Sequence, residues 1–184
     1  TIDVSSPSSP SVLDTTEFSD DLTALVVGGS YVYAATPDNS KELAVFDAST
    51  TSNVTEVGSY NASGSENGIS VDVSGSTLVL GRASASTGEL LVFDVSTPTS
   101  PSLSGTGEVG DVVNGVSLDG TQTVYLATGE TDEEFMRWDI SMPASPTLDA
   151  SMDLNADATG VIFSGSYAYV SGEHDSQELQ VIGQ

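Results

Sequence analysis

The chain has 184 residues, no cysteine, and 27 acidic residues against Lys41, Arg82 and Arg137, for a formal net charge of -24. That sign excludes nucleic acid as a partner and an anionic membrane surface as a platform, and the missing thiols exclude a disulfide framework. The length suits one compact domain, and neither a basic-then-apolar leader nor a long apolar run marks a targeting or membrane-inserting segment.

The first phrase in the chain, "DVSSPSSP" from Asp3, returns as "DASTTSNV" from Asp47, "DVSTPTSP" from Asp94 and "DISMPASP" from Asp139. The recurrence defines a period of about 45 residues, with repeats at approximately 1–47, 48–94, 95–139 and 140–184. Next in each repeat comes an apolar run split by a tight turn: "LVVGGSYVYAA", "VDVSGSTLVLG", "VSLDGTQTVYLA" and "VIFSGSYAYVS". Gly-Ser or Asp-Gly between alternating apolar residues predicts a hairpin, because glycine supplies the positive φ that such a turn needs. A short apolar run opened by glutamate follows, as "ELAVFDAS", "ELLVFDVS", "EFMRWDIS" and the terminal "ELQVIGQ".

Each repeat therefore predicts four short strands, and in the second these are "NVTEVGSY", "GISVDVSG", "TLVLGRA" and "ELLVFDV". No stretch has helical periodicity. Four-strand units at this period predict an all-β fold, a β-propeller of four four-stranded blades forming a single domain over 1–184. In that frame Asp3, Asp47, Asp94 and Asp139 close the third strand of a blade and form a turn, and the "SP" that follows starts the outermost strand.

The combination of "ELLVFDVSTPTSP" with "SGSYAYV"-type strands resembles the LVIVD repeat, a bacterial and archaeal β-propeller repeat of mostly secreted and surface proteins. Glu42, Glu89, Glu134 and Glu178 stand where that family usually has glycine before the apolar run, and the repeat at Asp47 lacks both prolines. The resemblance implies a propeller fold and an extracellular or cell-surface address. It carries no shared catalytic residues, and fold alone does not define function.

The termini suggest how the ring is completed. The chain opens inside a repeat and ends on the third strand of a blade, so pairing residues 11–18 with "ELQVI" would close the propeller. The alternative is a piece of a larger propeller, because "TIDVS" resembles the tail of a third strand and overlaps the positions of "VIGQ".

Alternating strand directions place the loops on two faces. The loops between blades and between the second and third strands share one face, which would carry Asp20, Asp21, Asp38, Glu42, Glu66, Glu89, Asp111, Glu130, Asp132, Glu133, Glu134, Asp157, Glu173, Asp175 and Glu178. Self-repulsion at this density calls for screening by concentrated salt or divalent cations. With 49 Ser and Thr residues, an exterior setting suits the chain better than a salt-rich cytoplasm. Near the axis, Asp21, Glu66, Asp111 and Asp157 lie on corresponding loops of successive blades, an oxygen-rich set suited to calcium; the plain alternative is solvated loop acids.

Other candidates are weaker. "DLNADATG" from Asp153 spaces its acids like a calcium loop but has Ala158 where glycine is required and Ser164 where glutamate belongs. His174, the sole histidine, lies among acids in a loop. Arg137 occupies the slot of Val45, Val92 and Val181 and so needs a partner; Trp138, aligned with Phe46 and Phe93, is core by its slot, and Tyr33, Tyr125 and Tyr169 read as packing between blades. Sequons at Asn53 and Asn61 flank one outer strand.

No nucleophile–base spacing is present. The sequence thus predicts a non-catalytic extracellular or cell-surface module for adhesion, surface assembly or ligand binding, with a protein or surface glycan as partner. Two alternatives remain: a filament or surface-layer subunit that self-associates by exchanging terminal strands, and a calcium-dependent propeller enzyme.

Overall fold

The computed structural model describes residues 1–84 and 88–183, and among them the only regular secondary structure is strand. After a small hairpin of β1 (Ile2–Asp3) and β2 (Ser11–Val12) come β3 (Ala24–Gly28), β4 (Tyr31–Ala35), β5 (Leu43–Asp47) and β6 (Thr55–Tyr60), the first antiparallel blade. The second contains β7 (Gly68–Ser74), β8 (Thr77–Arg82), β9 (Leu90–Asp94) and β10 (Ser102–Gly107). The third contains β11 (Val113–Asp119), β12 (Thr123–Thr128), β13 (Phe135–Asp139) and β14 (Thr147–Met152). The fourth has three strands, β15 (Ala158–Ser164), β16 (Tyr167–Gly172) and β17 (Leu179–Gly183).

The hairpins form for the reason the sequence suggests. Gly29, Gly75, Gly120 and Gly165 open the inner turns with φ between 60° and 68°, a conformation that costs glycine little. The third and outer strands of the first three blades pair with a recurring bulge, at Val45/Phe46, Leu103/Gly105 and Arg137/Trp138, which increases local twist.

The core lies between blades. Tyr33, Leu43 and Val45 of the first blade pack with Val71, Leu80 and Phe93 of the second. Val79, Leu90 and Val92 continue to Val116, Leu126 and Trp138, and Tyr125 and Phe135 to Val161 and Val170. Each such side chain, withdrawn from water, contributes about 1.5–3 kcal/mol before entropy is counted. The Tyr125 ring stacks on Phe135 and Phe163 at centroid distances of 5.9 and 4.7 Å.

The closing strand expected from the termini does not join the fourth blade. β2 pairs with β1 as Ile2↔Val12 and Asp3↔Ser11, the register that Phe46↔Glu56 and Asp47↔Thr55 keep in the first blade. Ile2 and Asp3 thus fill the slot beside β2 that the end of a third strand would take. The inner strands abut in series, β3 on β7, β7 on β11 and β11 on β15, and the four blades form an open arc whose end faces leave Leu25, Val27, Tyr169 and Val181 exposed, while Phe18 covers Phe46 on the first blade. Among the described residues no helix is long and apolar enough to cross a membrane.

Candidate functional site: the rim carboxylates and the two end faces

The four acids proposed near the axis each have local surroundings of their own. Asp21 is exposed and its amide donates to Asp20 Oδ1 at 2.8 Å, while Asp111 Oδ1 accepts from the Val112 amide at 2.6 Å. Glu66 accepts from the Ser65 amide at 2.9 Å and faces the buried Arg82 guanidinium at 3.7 Å. Asp157 is exposed, and its carbonyl accepts from the Glu173 amide at 3.0 Å. Among the described residues no three Asp, Glu or His side chains come close enough to share an ion. In the Asp153 loop the Asn155 amide donates to Asp153 Oδ1 at 2.7 Å, with Asn155 at a φ of 63°, and His174 Nδ1 accepts from the Ser176 amide at 3.2 Å.

The repeated aspartates do form turns. Asp3, Asp47, Asp94 and Asp139 each accept from the serine amide two residues on at 2.8 Å. Bonds from the side chain and amide of Ser49 and Ser141, and from the amide and side chain of Ser5 and Ser96, favour the ionised carboxylate and hold all four below the usual aspartate range.

The repeated glutamates act differently from the solvated acids expected of them, which corrects their assignment to an anionic face. Glu42, Glu89 and Glu134 are buried, and each Oε2 accepts a backbone amide 20 residues on: Ala62 at 2.6 Å, Val109 at 2.8 Å and Leu154 at 2.7 Å. Glu89 also receives the Gly110 amide at 3.1 Å. Each staples the start of its blade's third strand to the segment that leaves the same blade's outer strand. A glutamate at one fixed slot in every repeat was the available signal; the tertiary partner was not visible from local sequence. Arg82, which the sequence marks only as one of three cations, is buried with Nε on Gly88 O and Nη1 on Ser63 O, both at 2.9 Å. Arg137 has the expected partner, pairing with Asp149.

The largest departure from an ordinary surface is at the two ends of the arc. Leu25, aligned by register with Val71, Val116 and Val161, is 62% exposed where those three are 9%, 8% and 7% exposed. At the other end Tyr169, the counterpart of Tyr33 and Tyr125, is 40% exposed against 3% for each of them. Val181 is 56% exposed where Val45 and Val92 are fully buried. Beside this face, a cleft of about 320 Å³ lies between the third and fourth blades, lined by Phe135, Arg137, Ala150, Phe163 and Ile182 among others.

Blades of antiparallel strands, stacked face to face through inter-blade apolar layers, make this protein a β-propeller. Solved structures agree at low identity, which speaks to fold alone: a computationally designed protein, Ika4, matches with a TM-score of 0.71 at 13% identity, over 94% of this chain and 97% of its own. Saccharomyces cerevisiae Sqt1 matches with 0.66 at 12% identity over 91% of this chain and 48% of its own, and Chaetomium thermophilum Raptor with 0.66 at 10% over 91% and 15%. The sequence model of the LVIVD repeat matches residues 21–62 and 85–108, so over those two stretches the chain is similar to LVIVD-repeat proteins, and the propeller fold is consistent with that. No curated protein matches it.

Proposed function

We propose that this propeller is a non-catalytic module that acts by binding or assembly at an extracellular or cell surface, with a protein or surface glycan as ligand. One observation carries the reading: the chemistry-bearing residues that recur are used up in building the blades. The four repeated aspartates hold turns, and three of the four repeated glutamates hold backbone amides. The cations Lys41, Arg82 and Arg137 sit in pairs with Glu56, Glu66 and Asp149. What is left for recognition is a polar, acidic rim of loops and the exposed apolar positions at the two ends of the arc.

The test has two arms. The purified chain is screened for binding on arrays of surface glycans and for turnover on glycosidic, phosphoester and peptide substrates; saturable binding without turnover is expected, and turnover of any of them would sink the non-catalytic reading. An antibody to the chain is then applied to intact cells of the source organism. Staining that appears only after permeabilisation would remove the surface address. A self-assembling structural subunit is the second reading, favoured by the exposed apolar residues of the end faces.

A further inference from the structure

We propose that two copies of this chain join head to tail through their end faces and close into a single ring. The inference rests on the fold and stands or falls independently of the surface role proposed above. The argument is continuity: the contact that joins blade to blade within the chain is offered, unmade, at both ends of the arc. Leu25 and Val27 of β3 hold the positions through which Val71 and Val73, and then Val161 and Phe163, receive the preceding blade. Tyr169, Leu179 and Val181 hold the positions through which Tyr33, Leu43 and Val45 meet the following one.

Three further details match in the same register. In the first blade the outer strand pairs with β5 as Ala44↔Ser59 and Leu43↔Tyr60, and the corresponding residues across the copies are Gln180 with Thr15 and Leu179 with Thr16. The glutamate staple of the fourth blade, Glu178, is exposed, and the residue in the place of Ala62, Val109 and Leu154 is Phe18. Phe18 already lies on the first blade's open side, edge-on to Phe46 at 5.7 Å, much as Tyr60 meets Phe93 at 4.9 Å one blade later. The cleft beside Ala150 takes the remaining piece. At the matching Gly58 the turn of the next blade is so close that a Cβ would stand 2.8 Å from Pro98 O, and the turn that would enter the cleft is the second copy's Pro7–Ser8. Ala150 already carries that Cβ, so this turn seats less deeply. In joining, β17 of one copy displaces the two-residue β1 of the other from β2.

Two-fold joining is the smallest arrangement that covers both end faces of every chain, because a head-to-tail contact either closes or propagates. The experiment begins with the unmodified chain, whose mass by light scattering across a concentration series is expected to be twice 18.8 kDa. The chain contains no cysteine, so a Thr15→Cys/Gln180→Cys double variant reports the predicted pair directly. After mild oxidation and denaturation without reductant, a covalent dimer is expected. An internal bond in a single chain would show that the strand closes its own ring, and a ladder of larger species would show an open filament. Either result overturns the proposal, as does a monomeric mass for the unmodified chain.

Discussion

The carboxylates in this chain divide into two kinds by what they face. A buried glutamate such as Glu134 holds the Leu154 amide at 2.7 Å, and removing its acceptor strands a buried donor at a cost of roughly 1–3 kcal/mol. Glu134→Ala should therefore lower unfolding free energy in urea by about that much, while Glu134→Gln, which keeps a carbonyl oxygen, should lose clearly less; equal losses would mean the bond contributes nothing. The exposed turn aspartates respond to acid instead. The bonds that Asp94 receives from Ser96 depress its folded-state value, so its contribution is complete above the unfolded aspartate value of about 3.9 and is lost as pH falls through the depressed one. The gap in melting temperature between the parent and Asp94→Asn should accordingly be open at pH 6 and close as the pH falls below the ordinary aspartate range. A gap that stays constant with pH would count against the ionised turn.

At the scale of strands and turns, the tight seat between neighbouring blades is set by one residue per outer strand. Gly58 lies under the Pro98–Thr99 backbone, where a Cβ would come within 2.8 Å of an oxygen. Gly58→Val should cost about 1–3 kcal/mol by overpacking, measured by thermal or urea denaturation; a neutral result would mean that the turn of the next blade is free to shift. Elements of this kind were readable from sequence in proportion to how local their cause is. The inner hairpins follow from Gly-Ser and Asp-Gly between alternating apolar residues, and the Asp94 turn from a serine two positions on. The Glu89 staple was not readable, because a glutamate ahead of an apolar run looks like solvated loop until the Val109 amide is brought to it. The fate of β2 was half readable: the likeness of Ile2–Asp3 to the end of a third strand was visible, but not that it would hold the partner slot against β17.

For the whole molecule, the governing quantity is a charge of -24 with every cation already paired. Mutual repulsion among the remaining carboxylates is long-ranged at low ionic strength and short-ranged in molar salt. Melting temperature should rise steadily with sodium chloride, and a flat profile would mean the acids are too dispersed to matter. Among the described residues no three acids group as an ion site, so calcium matched to sodium for ionic strength should add nothing further. An excess stabilisation by calcium, abolished in an Asp21→Asn/Asp157→Asn variant, would instead restore an axial ion site.

The interchangeable register of the blades also bears on inheritance. Leu25, Val71, Val116 and Val161 occupy one position of a common pattern, so a gene segment one repeat long can be duplicated or lost by replication slippage without any new contact having to be invented. Such an event alters how many blades a descendant carries and leaves the chemistry of both end faces as it was.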